Sequence, residues 1–174
     1  PALKAWEDKE GALVWKIGQS EEGRDMIVLA VADEATIKQL DKYKAMLASL
    51  TDSRKTTDAQ AQQILRTAKP IYWLTSGMHS GETGGPEMLQ ELAYRLIVEE
   101  TPFIQQIRNN IITFITPVIE VDGREKHVDT YYYGKKTNKQ RPPLVYWGQY
   151  VAHDDNRDAM GQMLKLTQNV NRTF

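Results

Sequence analysis

The residues with the clearest capacity for chemistry lie in a glycine-rich segment around His79, one of only three histidines in this chain of 174 residues. Glu82 follows His79 by three positions, and a histidine and a glutamate at this spacing can bind one metal ion together. Zinc accepts imidazole nitrogen and carboxylate oxygen as ligands. Glycines at positions 77, 81, 84 and 85 favour a turn and leave a metal accessible. The alternative is that both side chains only form hydrogen bonds within a surface loop.

The composition excludes several other kinds of site. The chain has no cysteine, which removes disulfides, cysteine-type zinc sites and thiol nucleophiles. Its 22 basic and 23 acidic side chains nearly cancel, so the overall charge gives no reason to expect nucleic acid or an anionic membrane as partner. No apolar run approaches the roughly 20 residues that span a bilayer. With 41% hydrophobic and 26% charged residues, we expect one globular domain over residues 1–174.

Four short apolar segments predict the strands that would position His79. They lie at residues 12–17, 26–32, 71–75 and 111–119, and the first two, joined by a short polar turn, predict a hairpin. The second segment is apolar throughout, which indicates a strand covered on both faces. His79 follows the third strand, and the ligand sites of open α/β sheets lie beyond the carboxyl ends of strands.

Helices are predicted between and after these strands. The segments concerned are residues 34–50, 57–67, 87–100, 101–110 and 157–170. The first shows apolar residues at spacings of three and four, and the second begins with the Thr-x-x-Gln spacing of a capping box. The polar stretch 120–155 predicts a long ordered loop. Strands that alternate with helices predict an α/β fold with a mixed β-sheet flanked by helices.

Four segments, in the same order along the chain, resemble segments of the zinc carboxypeptidases of the carboxypeptidase A type, the M14 peptidase family. Residues 71–83 (IYWLTSGMHSGET) resemble its metal-binding segment, and residues 17–24 (IGQSEEGR) resemble its I-G-x-S-x-E-G-R hairpin turn. Residues 116–123 (TPVIEVDG) resemble its N-P-D-G turn, and residues 150–158 (YVAHDDNRD) its D-x-N-R segment. The resemblance covers roughly residues 14–160 and implies a zinc-carboxypeptidase-like fold.

The resemblance implies a zinc-dependent peptidase that hydrolyses the C-terminal bond of a peptide or protein. His79 and Glu82 match two of its zinc ligands, and a second histidine and a general-base glutamate lie further along the chain in that family. Asn156 and Arg157 match the pair that binds the terminal carboxylate of the substrate, a role that suits the planar guanidinium fork of arginine. The alternative for Arg157 is an ion pair with a nearby aspartate: Asp154, Asp155 or Asp158.

The chain departs from the family pattern at several positions. Glu120 and Val121 replace the Asn and Pro of the N-P-D-G turn, and Gly81 stands where many members have an arginine. The family also has an arginine that polarises the scissile carbonyl. Lys135 lies in the corresponding part of this chain, but an ammonium is a point donor and not a fork. The departures at Gly81 and Val121 favour, to a small degree, a non-catalytic relative, whereas the retained His79 and Glu82 count against it.

Residues after Arg157 contain neither histidine nor glutamate, so the family's second zinc-binding histidine and general base have no counterpart among them. His153 could replace the missing ligand, although a partnered loop histidine is the more expected role, and His127 is expected to face solvent. We therefore expect an N-terminal portion of a carboxypeptidase domain, with the C-terminal part absent. A site with only two protein ligands should hold Zn²⁺ weakly, and this chain alone should show no peptidase activity.

Three other functions compete with this interpretation. The same fold could bind peptides or cell-wall fragments without catalysis, or it could carry a zinc amidase or a deacylase. An exposed sheet edge could instead pair with a second copy of the chain. Because enzymes of this family are commonly exported, the resemblance leads us to expect a secreted or periplasmic protein.

Overall fold

The computed structural model describes residues 10–143 and 153–173. Its four strands form one sheet in the order β1–β2–β4–β3. The strands are β1 (Ala12–Gln19), β2 (Asp25–Val31), β3 (Ile71–Thr75) and β4 (Ile112–Thr116). All four predicted strands are confirmed, with ends that differ by up to three residues. The two central strands, β2 and β4, are the most fully buried, as expected for apolar runs covered on both faces.

Seven α-helices accompany the sheet in the described part of the chain. They are α1 (Glu34–Ile37), α2 (Leu40–Leu50), α3 (Asp58–Thr67), α4 (Gly84–Val98), α5 (Pro102–Asn110), α6 (Val121–Thr137) and α7 (Lys165–Thr173). A short 3₁₀ turn covers Asp155–Arg157. The architecture is the predicted α/β class, with a sheet and helices along one chain. Among the described helices, none combines the length and the apolar character needed to cross a membrane.

The predicted single helix over residues 34–50 is wrong, because the chain forms two helices there. The Asp33 side chain caps α1 by accepting a hydrogen bond from the Thr36 amide at 3.0 Å. Lys69 donates to Asp33 and, at 2.6 Å, to the hydroxyl of Thr36, which ties this first turn in place. Gln39 then leaves the helical region, with φ −114° and ψ 20°, before α2 begins. Apolar periodicity continues through the break and therefore does not reveal it.

The predicted long loop over residues 120–155 is also wrong over most of its described part. Residues Val121–Thr137 form α6, which ends at Asn138 in a left-handed conformation with φ 52°. The sequence of α6 is polar, with exposed side chains along much of its length, so apolar periodicity gives no signal for a helix. Its first turn is instead anchored by Asp122, which is buried. Residues 144–152 of the predicted loop lie outside the described residues.

Two other predicted helices have different ends. The helix predicted over residues 87–100 begins three residues earlier, at Gly84, and ends at Val98. Proline is tolerated within a first helical turn, where its missing N–H needs no partner, so Pro86 does not delay the start. The helix predicted over residues 157–170 is replaced by the short 3₁₀ turn and by α7, which begins only at Lys165.

The chain divides into two compact units. The first comprises Pro1–Val14, Leu29–Trp73 and Ala93–Phe114, and the second Trp15–Val28, Leu74–Leu92 and Ile115–Phe174. In the first unit, Arg108 closes the end of α4 by donating to the carbonyl oxygens of Leu96 and Ile97 at 3.2 and 3.0 Å. Such bonds satisfy carbonyl groups that have no partner within the helix.

An ion pair between Asp33 and Lys69 is a second contact that holds the first unit together. Their side chains are only 28% and 22% exposed, and their charged groups are in direct contact. Burial raises the pKa of the Asp33 carboxyl, but hydrogen bonds from Lys69 and Thr36 lower it by more, so the pKa lies below the usual value. The carboxylate therefore stabilises the folded state while it remains charged.

The second unit has its own apolar core. It contains Met26, Ile119, Leu164 and Leu166, and four partly buried side chains pack against it: Ile17, Met78, Val121 and Val170. These residues come from the hairpin, from the segment after β4 and from α7. The core therefore fixes the hairpin and α7 next to the segments that follow β3 and β4.

Candidate metal centre

All residues of the candidate site belong to the second unit, and His79 lies there in the loop between β3 and α4. This loop runs beside the segment that follows β4, since the Ser76 carbonyl accepts from the Ile119 amide at 2.9 Å. Gly77 lies at the closest approach, with φ +63°, and a Cβ atom there would be 3.1 Å from the Cα of Val118. A larger residue at this position would force the loop away from its neighbour. The backbone thus fixes the point from which His79 projects.

The His79 imidazole lies between two carboxylates. Its Nδ1 is 3.0 Å from Oε1 of Glu82, and its Nε2 is 3.1 Å from Oδ1 of Asp154. Hydrogen bonds with Glu82 first, and then with Asp154, raise the pKa of the imidazole above its usual value. The structure therefore brings together the two residues of the H-x-x-E segment and adds a third residue from far along the chain.

Asp155 adds a buried carboxylate to this group. One ligand atom each from His79, Asp154 and Asp155 lies within 4.8 Å of the others. Asp155 is only 5% exposed, and neither of its carboxylate oxygens has a hydrogen-bond partner among the described residues. Burial raises the pKa of Asp155 to about 7. Unpartnered buried carboxylate oxygens beside an imidazole are donors that fit a divalent cation, which would replace the missing partners.

The two sides of the imidazole differ in access. The Glu82 side chain is 71% exposed, whereas that of Asp154 is 35% exposed. A metal held by Nδ1 and Glu82 would face solvent. Asp154 would then accept the other ring N–H, the arrangement that commonly orients a metal-binding histidine. Sequence reasoning considered Asp154 only as a partner of Arg157, although the D-x-N-R resemblance had already singled out its segment.

Ser80 and Glu120 line the buried side of the site. Both are at most 2% exposed, and the Ser80 hydroxyl and Oε2 of Glu120 lack hydrogen-bond partners in the described part of the chain. Burial raises the pKa of Glu120, and the nearby Glu120 carboxyl in turn raises the pKa of Asp155. Gly123 leaves room for this carboxyl, because a Cβ atom there would lie 1.6 Å from Oε2. Glu120, in the position of the Asn of the N-P-D-G pattern, thus adds an acidic group beside the site.

A second network joins the hairpin to the start of α6. The Ser20 hydroxyl donates to Oδ1 of Asp122 at 2.6 Å, and the Glu22 amide donates to Oδ2 at 3.1 Å. Arg24 donates to Oδ1 from Nη1 at 2.8 Å. The hairpin-turn motif and the Asp-Gly motif are therefore two halves of one contact. Their role is to hold α6, and with it Glu120, against the rest of the second unit.

Asn156 and Arg157 come directly after Asp154 and Asp155 in the sequence. The Asn156 amide donates to Oδ1 of Asp154 at 2.9 Å, so the same carboxylate oxygen contacts this turn and His79. Both Asn156 and Arg157 are exposed. The guanidinium of Arg157 donates to the Asn156 carbonyl at 3.1 Å and forms no ion pair with any residue that the structure describes. It therefore does not form the ion pair with a neighbouring aspartate that was the alternative to carboxylate binding.

The structure does not bring Lys135 to this group. Lys135 lies in the last turn of α6, thirteen positions after Asp122, with Nζ 5.0 Å from the centre of the Tyr131 ring. A helical rise of 1.5 Å per residue places it about 20 Å along the axis from Asp122. His153 pairs with Asp158 at 3.0 Å, which is the partnered loop histidine that we expected. His127 lies on α6 and is half-buried, whereas we predicted that it would face solvent.

An α/β sheet with a histidine–carboxylate group beyond the end of a strand defines the chain as a candidate metalloenzyme of the α/β class. The comparisons specify the family. The model of the zinc carboxypeptidase family, peptidase M14, matches residues 3–174. The chain therefore belongs to the zinc carboxypeptidase family, which confirms the resemblance of its four motif segments. A comparison with curated protein sequences finds no match.

Solved structures show the same fold at low sequence identity. A proposed carboxypeptidase A from Shewanella denitrificans OS-217 is 16% identical, with a TM-score of 0.63, over 99% of this chain and 34% of its own. A metallo-carboxypeptidase from Burkholderia cenocepacia is 17% identical, with a TM-score of 0.60, over 99% of this chain and 35% of its own. The carboxypeptidase A of Helicoverpa armigera is also 17% identical, with a TM-score of 0.58, over 99% and 39%. The chain spans little more than a third of the length of these proteins and shares their fold over that part.

Proposed function

We propose that the chain forms part of a zinc-dependent metallocarboxypeptidase, in which His79 and Glu82 bind Zn²⁺. One observation carries the proposal: the His79 ring is held with Nδ1 towards Glu82 and Nε2 towards Asp154. An imidazole fixed from one side by a carboxylate presents its other nitrogen to a metal in a set orientation. When bound, the zinc ion would supply a Lewis acid that polarises the carbonyl of the scissile bond.

The substrate would be the free C-terminus of a peptide or protein. Arg157 and Asn156 are exposed, next to Asp154, and the guanidinium has no ion-pair partner among the described residues. A guanidinium fork binds a carboxylate through two parallel hydrogen bonds. Because Asp154 contacts both His79 and the Asn156 amide, one carboxylate would fix the distance between the metal and the residues that bind the terminal carboxylate.

The proposal assigns neither the second zinc-binding histidine nor the general-base glutamate of the family to a described residue. The sequence after Arg157 has neither histidine nor glutamate, and His153 already pairs with Asp158. We therefore expect this chain alone to bind zinc weakly and to leave peptides uncleaved. Hydrolysis by the purified chain that disappears in His79→Ala would contradict this expectation.

Zinc binding tests the assignment of the ligands. Competition with a chromophoric chelator should show binding that His79→Ala and Glu82→Gln abolish, and that Asp154→Asn weakens by about 10–100-fold. His127→Ala is the matched control, since this half-buried histidine lies on α6, and it should bind zinc as the unmodified chain does. Unchanged binding in Glu82→Gln, with complete loss in both Asp154→Asn and Asp155→Asn, would instead place the metal on the Nε2 side of the ring.

Peptide binding without cleavage is a second candidate function, favoured by the departures from the family pattern at Gly81 and Val121. Calorimetry with a peptide bearing a free C-terminus and with its amidated form would measure carboxylate recognition. Arg157→Ala should remove the preference for the free carboxylate, whereas Arg172→Ala, an exposed arginine on α7, should not. Equal binding of both peptides to the unmodified chain would exclude a terminal-carboxylate site and favour an amidase-type substrate.

A further inference from the structure

The C-terminal half of α6 and the residues after it form a strongly basic, aromatic surface. This α6 basic surface comprises residues 131–141, which include three tyrosines, Tyr131, Tyr132 and Tyr133, each at least 40% exposed. It also carries four exposed cations, namely Lys135, Lys136, Lys139 and Arg141, and no acidic residue. Such a concentration of one charge at the end of a single helix contrasts with the near-neutral chain as a whole.

Two of the four cations of this surface lie near an aromatic ring. Lys135 Nζ lies 5.0 Å, and the Arg141 guanidinium carbon 5.8 Å, from the centre of the Tyr131 ring. Both distances are within the range of cation–π attraction. Arg141 folds back over Gly134, where a Cβ atom would lie 2.7 Å from its Cγ. Two cations fixed near one ring lose less side-chain freedom when they bind an anion than two free lysines would.

The charge of the rest of the chain limits the size of the partner. Removing the four cations of this surface from the total of 22 leaves 18 basic against 23 acidic residues. A long polyanion such as a nucleic acid would extend beyond the surface and meet net negative charge. A short acidic segment would stay within it. Tyrosine hydroxyls and lysine ammonium groups are both donors, and they suit the carboxylates of aspartate and glutamate.

We propose that the α6 basic surface binds an acidic segment of a polypeptide, away from the candidate metal centre. Lys135, within this surface, lies about 20 Å along the α6 axis from Asp122. Binding of an acidic segment there does not depend on the proposed function.

Fluorescence polarisation with a labelled oligoglutamate peptide, amidated at its C-terminus, tests the inference directly. EDTA removes any bound metal, and a peptide with an amidated end has no terminal carboxylate to bind at Arg157. The result therefore does not depend on whether the proposed peptidase function is correct. The Lys135→Glu, Arg141→Glu double variant should bind the peptide at least about tenfold more weakly. Raised salt should weaken binding to the unmodified chain.

The matched control reverses two exposed lysines on α2, Lys42→Glu and Lys44→Glu, which changes the net charge by the same amount. This variant should bind within about twofold of the unmodified chain. A second pair on the surface, Lys136→Glu and Lys139→Glu, should weaken binding in the same direction as the first. An equal loss in the α2 variant would overturn the inference. So would equal binding of an oligoglutamine peptide, or binding of oligothymidylate in preference to oligoglutamate.

Discussion

Replacing Gly18 by alanine tests how the hairpin is held to α7. Gly18 has φ +155°, and a Cβ atom there would lie 2.2 Å from Oδ1, 2.3 Å from Cγ and 2.5 Å from Nδ2 of Asn169. The Asn169 side chain is buried and donates from Nδ2 to the carbonyl of Gln19 at 2.9 Å. It cannot move away without losing this bond, so the overlap must be relieved at some cost in packing or in hydrogen bonding.

The cost can be built up from three contributions. Overpacking a well-filled site costs about 1–3 kcal/mol. A non-glycine residue in this region of φ costs about 1–3 kcal/mol, and a lost buried hydrogen bond about 1 kcal/mol. We therefore expect Gly18→Ala to reduce the free energy of unfolding by about 5 kcal/mol, a large part of the 5–15 kcal/mol typical of a domain. Urea unfolding followed by circular dichroism measures the loss.

Gly23→Ala is the matched control, because Gly23 also has positive φ, +81°, but no atom lies within 4 Å of its Cβ position. It should cost only the backbone strain, about 1–2 kcal/mol. In an Asn169→Ala background the colliding amide and its hydrogen bond are both absent, so the cost of Gly18→Ala should fall by about 3 kcal/mol. Equal losses in Gly18→Ala and Gly23→Ala, with no coupling to Asn169, would refute the argument from overlap.

Three further perturbations have defined outcomes. Asp122→Ala should destabilise the chain by about 2–3 kcal/mol in the same urea assay, because it leaves the Ser20 hydroxyl and the Glu22 amide without their shared acceptor and removes one of the two carboxylate partners of Arg24. Thr57→Ala removes the capping box of α3 and should cost about 1 kcal/mol, visible as a lower melting temperature. Since the pKa of Asp33 is lowered in the folded chain, its stabilising effect should be complete above about pH 4 and be lost as the pH falls through the folded-state value. Asp33→Asn should therefore flatten the stability profile on the acid side, and an unchanged acid transition would count against the pairing with Lys69.

Local signals in the sequence were sufficient for the strands and for the cap of α3. The Thr57–Gln60 spacing forms the predicted capping box. α6 could not be predicted in this way, since its polar sequence contains two glycines and three consecutive tyrosines. Its first turn is fixed by contacts of Asp122 with residues about 100 positions earlier, which no local pattern encodes.

The candidate site was predictable to a similar extent. The His79–Glu82 spacing predicted a pair within reach of one metal, and the two side chains do lie 3.0 Å apart. Asp154 was not assigned to the imidazole, because sequence separation hides a contact that only the fold creates. Lys135 was assigned to the site only from its position between the segments that resemble the N-P-D-G turn and the D-x-N-R segment. Because Val121–Thr137 is a helix, its rise carries Lys135 away from the centre.

The contacts that assemble the metal centre have a consequence for the order of folding. His79 and Asp154 are 75 positions apart, Ser20 and Asp122 are 102 apart, and the contact of α7 with the hairpin spans 150. Closing loops of this length costs entropy before any contact repays it, so they form late and slowly compared with the local helices. The residues that would bind a cation would therefore come together only when the chain is almost fully folded. The rate at which a refolding chain gains its capacity for zinc would therefore equal the rate of its slowest folding phase, and a metal present from the start would stabilise the final state without speeding the approach to it.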